Sequence, residues 1–405
     1  MKPVVVASCA PEVGDAAIAE RTVAAILAVP HWSDGLVGAR KIAVKVNAGI
    51  ASFGRVGGVY AELTDPAVVE GVVRAIRLAT DAEIVLGDAP THFDADRIYA
   101  ELGLRERLRR YGRVRVLDFG EEPWATVAVG RPRPMFRTYQ VSAELASADA
   151  FVSVAKMKAH SGMGFTLCIK NLFGWMPPRV YGSPRLYLHD RLIRLPRVLA
   201  DLAVLWRPCL NVVDGIVATN QSEWHGAPLQ PEVLLAGADA LTVDTVGARV
   251  MGFDPGADYP QYPFHYRRNP LRLTAEIRGE EFVWEAVDVI GPAPEEVRTS
   301  FEVHRYRGGI DRTEQLRRGF ACVESYRARR AEHVQRLRGR YLAMTGGEVL
   351  WDAGSVAELQ RLARERITDW RDAPEFEVLC VDEAEENECL DRYAEEAARL
   401  PPPAP

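Results

Sequence analysis

Apolar and polar positions alternate along the first two thirds of the chain in a repeating order. The run KIAVKVNAG, from Lys41, is β-branched and apolar and ends in polar residues, as a buried strand does. Thr64, Asp65 and Pro66 then form a helix start with proline in the first turn. Val68, Val72 and Ile76, with Val69 and Val73 beside them, recur every four residues on one face, and EIVLGD from Glu83 reads as the next strand. DADRIYAELGL, with Asp94 as cap and Gly103 as stop, predicts a second helix, and RVRVLDFG a third strand. Short apolar runs continue at FVSVAK (151), LNVVDG (210) and EVLLAG (232), stopped by Lys156, Asp214 and Asp239. This order predicts an α/β fold, a mostly parallel sheet covered by helices.

After about residue 300 the pattern changes to charged helical segments, and the chain ends in LPPPAP. The division predicted is residues 1–300 as an α/β domain, with a split into two lobes near 120–150 left open. Residues 301–405 are then a mainly helical C-terminal extension with a disordered, proline-rich end. From about Ala394 onward the chain is expected to be dispensable for folding.

Composition narrows the class. With 405 residues and 48% apolar content there is material for a full core, and a net charge of −6 leaves no electrostatic footprint for nucleic acid. The six cysteines are dispersed, without iron–sulfur or metal-ligand spacing, as in a reduced cytoplasmic protein. No run of eighteen apolar residues suggests a membrane span, and neither a P-loop nor a glycine-rich dinucleotide fingerprint is present.

In a parallel sheet, ligands bind outside the carboxyl ends of the strands. Those ends carry Lys45, Asn47, Asp88, His92, Lys156, Lys158, His160 and Asp214. Lys170 lies between the apolar runs FTLCI and NLFGW, where an ammonium is costly unless something nearby uses it. Each group also has a plain reading. His160 could cap a loop, His92 could be a helix-start residue beside Phe93, and Lys170 could pair with Asp88 or Asp214. Asp214 could make an Asx-turn, His189 and Asp190 could begin a helix, and His225 with Glu223 could sit in an exposed loop.

The segments KVNAG, TDPAVVEGVVRAI, EIVLGDAP, KMKAHSGMGFTLCIKNLFG, VVDGI and ADALTVDTVGARVMGFDP resemble, in order and wording, the bacterial family called domain of unknown function 362, over about residues 40 to 255. Many members carry a ferredoxin-like module with clustered cysteines, which this chain lacks, so no iron–sulfur cluster is expected. A more distant likeness is to the nickel-pincer lactate racemases. GDAPTHFDADRIYAELG is similar to their first histidine loop, and HSGMGFTLCIK keeps a ten-residue separation from His160 to Lys170. That resemblance implies His92 and His160 as paired acid/base groups, Lys170 as the anchor of a nickel-pincer nucleotide and His189 as a metal ligand. The racemases' paired glycines are Leu167 and Cys168 here, and their arginine-bearing wording is replaced by KVNAG and TDP.

The function expected is that of an enzyme acting on a small anionic organic molecule by proton or hydride transfer at a carbon centre, racemase- or isomerase-like or an oxidoreductase. Lys45, Asn47, Lys156, Lys158, Arg185 and Asp214 would bind the substrate. Two alternatives stand beside it. One is a metal-dependent or cofactor-free enzyme of a specialised biosynthetic pathway, with a bound divalent metal in place of the pincer. The other is a non-catalytic module that binds a metabolite or redox partner, its helical tail forming a homo-oligomer.

Overall fold

A computed structural model describes residues 2–49, 52–91, 94–183, 185–281, 284–304, 311–367, 375–378, 381 and 387–401. Its main sheet has ten strands: β1 (Val4–Ser8), β2 (Lys41–Val46), β3 (Glu83–Asp88), β4 (Val114–Asp118), β5 (Ala150–His160), β6 (Gly164–Thr166), β7 (Leu210–Asn220), β8 (Ala227–Leu229), β9 (Val233–Gly237) and β10 (Val289–Ile290). Their order is β10-β1-β9-β7-β5-β2-β3-β4, with β6 folded back on β5 and β8 on β7.

The contiguous block β7-β5-β2-β3-β4 is parallel throughout, and β9 runs antiparallel to both β7 and β1. The chain runs outward from β2 through β3 to β4, then returns to begin β5 on the other side of β2. The seam between β2 and β5 is therefore a switch point, where the connections on either side diverge and leave a crevice above the carboxyl ends.

Both faces of the sheet are covered. Ile42, Val44, Ile84, Leu86, Val152 and Val154 pack in one cluster with helix α1 (Asp15–Leu27) and helix α2 (Pro66–Ala79). Ala43, Val85, Ala155, Met157 and Ala159 face the other way, toward a short helix α3 (Cys168–Asn171), α4 (Arg194–Trp206) and α5 (Ala240–Val250). The two-residue period of each strand thus feeds two cores. Helix α2 starts as its sequence requires, with Pro66 in the first turn and the Asp65 carboxylate accepting from the backbone N–H of Ala67 at 2.9 Å.

The C-terminal extension carries helices, and it also contains an antiparallel three-stranded sheet formed by Tyr341–Thr345, Glu348–Ala353 and Phe376–Val378. Gly346 and Gly347 both have positive φ, 57° and 82°, which a two-residue hairpin turn needs at both positions.

The expectation that the chain is dispensable from Ala394 fails against a helix, α6 (Asp391–Ala397), whose Tyr393 and Glu396 are buried. Glu396 accepts from Arg197 at 2.5 Å and from Arg268 at 2.9 and 3.1 Å. Tyr393 donates to Asp190 at 3.1 Å. The proline-rich residues 402–405 lie outside the described residues.

Removing one member of a buried ionic group leaves its partners uncompensated, at a cost of about 3–5 kcal/mol. Glu396→Ala should therefore lower the unfolding free energy measured by urea denaturation, toward the lower end of that range because Arg197 keeps Glu395 and Arg268 keeps Asp258 and Glu276. A change within about 0.5 kcal/mol, the scatter of an ordinary surface substitution, would show that α6 does not brace the core.

Candidate active site

A cavity of about 150 Å³ opens at the β2–β5 seam, and Lys45, Asn47, Asp88, Lys158, His160, Lys170, Arg185, His189 and Glu223 are among the residues that line it. Its floor is an ion pair. Lys45 near the end of β2 and Asp88 at the end of β3 meet at 2.9 Å, and neither side chain is more than 4% exposed. The remaining lone pairs of Asp88 are used as well, since Oδ2 accepts from the N–H of Ala48 at 2.7 Å and Oδ1 from that of Ala89 at 2.8 Å. Burial pushes the Lys45 ammonium down to about 8, with Asp88 opposing the shift.

The stretch Lys170–Gly174 is built around that pair. Asn171 Oδ1 accepts from Lys45 Nζ and from Asn47 Nδ2, each at 3.3 Å, while its own amide donates to Ser153 Oγ at 3.1 Å. At Gly174 a Cβ would lie 2.5 Å from Lys45 Nζ and overlap Asp88 Oδ1, so only glycine lets the segment cross here. Phe173 presents its ring to two cations, Lys170 at 5.2 Å and Arg185 at 5.5 Å. Asp244 holds the start of α3, accepting from the N–H groups of Cys168 at 2.7 Å and Ile169 at 2.8 Å. The Arg185 guanidinium donates to the carbonyls of Met176, Ala89 and Gly174 from a left-handed backbone position, φ 66°. It braces the pocket wall and also places a positive charge there.

Lys158 and His160 follow Lys156 at two-residue intervals on β5 and so project from one face of it. Among the described residues, the Nζ atoms of Lys158 and Lys170 have neither a hydrogen bond nor an ion pair. Burial lowers Lys158 to about 7, against the pull of Glu62 and Glu223, and lowers Lys170 to about 8. His160 Nδ1 accepts from the N–H of Gly162 at 3.1 Å, so the ring proton sits on Nε2, 3.6 Å from Glu223 Oε1. Burial lowers His160 to about 4, which leaves the imidazole neutral near pH 7 and makes the contact with Glu223 dipolar rather than an ion pair. Burial works against the Glu223 carboxylate, yet the surrounding positive groups hold it below its usual range.

Lys156 and Asp214, expected to bind substrate, are instead joined to each other at 2.9 Å with 0% exposure and do not line the cavity. Asp214 also accepts from the N–H of Asp65 at 2.9 Å and of Ile216 at 3.2 Å, the second contact being the Asx-turn. Lys170 pairs with neither Asp88 nor Asp214, because other lysines hold both. His92 lies outside the described residues. His189 lines the cavity beside Phe173, at 6.4 Å between ring centroids, and burial keeps it neutral. His225 contributes its backbone N–H to Glu62 at 2.9 Å.

The cavity is below the roughly 300–1,000 Å³ typical of drug-sized ligands. Leu167 and Cys168, which stand where the racemases have paired glycines, are fully buried in the core beside Lys170. Among the described residues, no three His, Cys, Asp or Glu groups converge as a metal site.

Residues 42–249 match the family described as a domain of unknown function, DUF362, which is half of the chain. The chain belongs to that family. Over 194 residues this DUF362 protein is 25% identical to a thylakoid-associated protein of Synechocystis sp., an alignment taking in 48% of this chain and 58% of the relative, so it spans less than two thirds of that relative's length. The lactate racemase apoprotein of Thermoanaerobacterium thermosaccharolyticum shares 12% identity, with 62% of this chain and 57% of that one superposed at a TM-score of 0.36, a likeness too slight to carry any argument. Among the described residues, no helix is long and apolar enough to cross a membrane.

Sequence reasoning did not assign Asn171, Phe173 or Glu62 to the site, weighed Glu223 only as a partner of His225 that could complete a site or be exposed, and did not use the scarcity of lysine. The 50 basic residues include only six lysines, Lys2, Lys41, Lys45, Lys156, Lys158 and Lys170, and four of these gather at the β2–β5 seam. Arginine serves almost everywhere else. That contrast was readable from the first line to the last.

Lys158 titrates at about 7 when folded and at the ordinary 10.5 when unfolded. Between those values the unfolded chain binds the extra proton, so stability rises with pH across that window and is lowest below about pH 7. Lys158→Met removes the titration. The variant should exceed wild type in stability at pH 6 by up to about 5 kcal/mol, with the gap closing toward pH 10, as read by urea unfolding at both pH values. A gap independent of pH would mean that Lys158 is not held near its neutral form.

Proposed function

We propose that the cavity is the active site of an enzyme that moves a proton at one carbon of a small, carboxylate-bearing molecule. The observation that carries this reading is the charge balance of the pocket wall: among the described lining residues, Lys45, Lys158, Lys170 and Arg185 stand against two carboxylates, Asp88 and Glu223, with Glu62 the further carboxylate whose charge acts on Lys158. Asp88 is matched to Lys45, and Nε and Nη2 of Arg185 are taken by backbone carbonyls. Lys170 and Lys158 remain, and the carboxylate of a ligand supplies the partner that a buried ammonium requires. The small volume of the cavity favours a molecule of few heavy atoms.

The two lysines suit different tasks. Lys170, over the face of Phe173, keeps its charge and anchors the carboxylate. Lys158, poised near neutrality, exchanges a proton with the substrate carbon, as an efficient acid/base does when its pKa matches the working pH. With Nδ1 committed to Gly162, His160 has its Nε2–H, 3.6 Å from Glu223 Oε1, as the neutral donor it can offer a substrate oxygen. Hydride transfer, the other expected chemistry, finds no comparable support in the pocket.

The test is a panel of two- to four-carbon 2-hydroxy and 2-oxo acids in heavy water, followed by NMR. The expected result is exchange of the carbon-bound hydrogen for at least one of them, with a rate that rises with pH through about 7 as Lys158 loses its proton. Lys158→Ala should lower that rate by about 10²- to 10⁴-fold. Lys170→Ala should act mainly through KM. Absence of both exchange and thermal stabilisation by every acid in the panel would reject the reading.

A further inference from the structure

We propose that Lys158 is a nucleophile that condenses with the carbonyl of a 2-oxo acid, so that proton transfer at the neighbouring carbon runs on a protein-bound imine. This rests on reading the cavity as the site of a small anionic substrate, and it names the substrate class. The scarcity of lysine is the first support. A chain that meets its need for positive charge with arginine keeps lysine where a guanidinium cannot do the work, and only an amine can become a neutral nucleophile. Of the four lysines at the seam, Lys45 and Lys156 are locked in ion pairs and Lys170 sits over the Phe173 ring. Lys158 alone of the four lies in the cavity wall with neither a carboxylate in contact nor an aromatic face beneath it, among the described residues.

The second support is the proton inventory beside it. Glu62, 4% exposed, accepts from His225 through Oε1, while its Oε2 has no hydrogen-bond partner among the described residues. Glu62 is also the carboxylate whose charge acts most strongly on Lys158. Burial raises the Glu62 carboxyl and lowers the Lys158 ammonium, so each is driven toward its neutral form, the pairing of free amine and carboxylic acid that condensation uses.

The atoms balance as follows. The Nζ lone pair forms a C–N bond to the carbonyl carbon while the C=O π pair moves to oxygen and takes a proton, and the nitrogen gives one up. The hydroxyl of this carbinolamine then leaves as water with a proton from the Glu62 carboxyl. The products are a protonated imine, one water and the Glu62 carboxylate. The iminium nitrogen accepts the electron pair left when the adjacent C–H bond breaks, and the Glu62 carboxylate left by the dehydration takes that proton, so for a 2-oxo acid the imine replaces direct proton exchange by the Lys158 amine. The substrate carboxylate stays on Lys170.

The experiment incubates the full chain with pyruvate or glyoxylate and sodium cyanoborohydride, followed by intact mass and peptide mapping, which six lysines make unambiguous. The expected result is one reduced adduct per chain, on Lys158, at least about ten-fold above that on Lys158→Met or Lys158→Arg. Those variants should still be stabilised thermally by pyruvate, which reports that the site persists. An adduct on Lys170 would overturn the choice of nucleophile. Stabilisation of the wild type by pyruvate with no adduct would overturn the imine and leave the anionic site standing. Loss of both would overturn the imine together with the reading it rests on.

Discussion

An ammonium with no exposure, set near the end of a parallel strand, must be met at once by a carboxylate, and the Lys45–Asp88 pair meets that constraint. Around it the rest of the site is arranged. β2 and β3 each deliver one partner, the backbone of Ala48 and Ala89 fills the remaining lone pairs of the carboxylate, and Asn171 ties the lysine to Asn47 and Ser153. Gly174 can pass over the pair only because it has no side chain. The Lys170–Gly174 stretch is therefore one mechanical unit in which each residue has a different neighbour. Its first residue is the one left facing the cavity without a carboxylate.

A second pair, Lys156–Asp214, repeats the device one strand further along, and its effect differs. It is sealed, and its aspartate holds the N–H of Asp65, the residue that caps α2. One lysine pair thus supports the cavity wall, while the other fixes a helix to the sheet. Beyond Asp214 the β5–β7 register shifts, so that Lys158 comes opposite Thr219 instead of the next residue of an unbroken ladder. That irregularity separates the sealed lysine from the one in the cavity wall.

Much of the fold was legible because it is local. The runs at 41, 83, 114, 150, 210 and 233 are strands, and Asp65-Pro66 and Asp94 begin helices as their residue types dictate. Less was legible where meaning depends on distant partners. Lys156 and Asp214 looked like site residues because each ends an apolar run, and nothing local reveals that they meet each other. Glu223 reaches His160 from a loop 63 residues later, and no periodicity marks that contact. The hairpin at Gly346-Gly347 was a different matter: two glycines between β-prone runs are a turn signal, obscured by the charged helical sequence around them. Near the end, Glu396 read as surface because its arginine partners, Arg197 and Arg268, lie far back in the chain.

The anchoring of Arg194 sets the order in which the pocket can form. Its guanidinium binds Glu388 at 2.7 Å across 194 residues of sequence, and Tyr393 reaches Asp190, next to His189 in the cavity wall. Contacts of such separation form late, after the chain between them has paid its closure entropy. During vectorial synthesis the parallel block from β2 to β7 can assemble while the segment that fastens its lining has yet to be translated. Until Glu388 and Tyr393 are made, the sheet can be complete while the cavity wall beside His189 lacks these two braces.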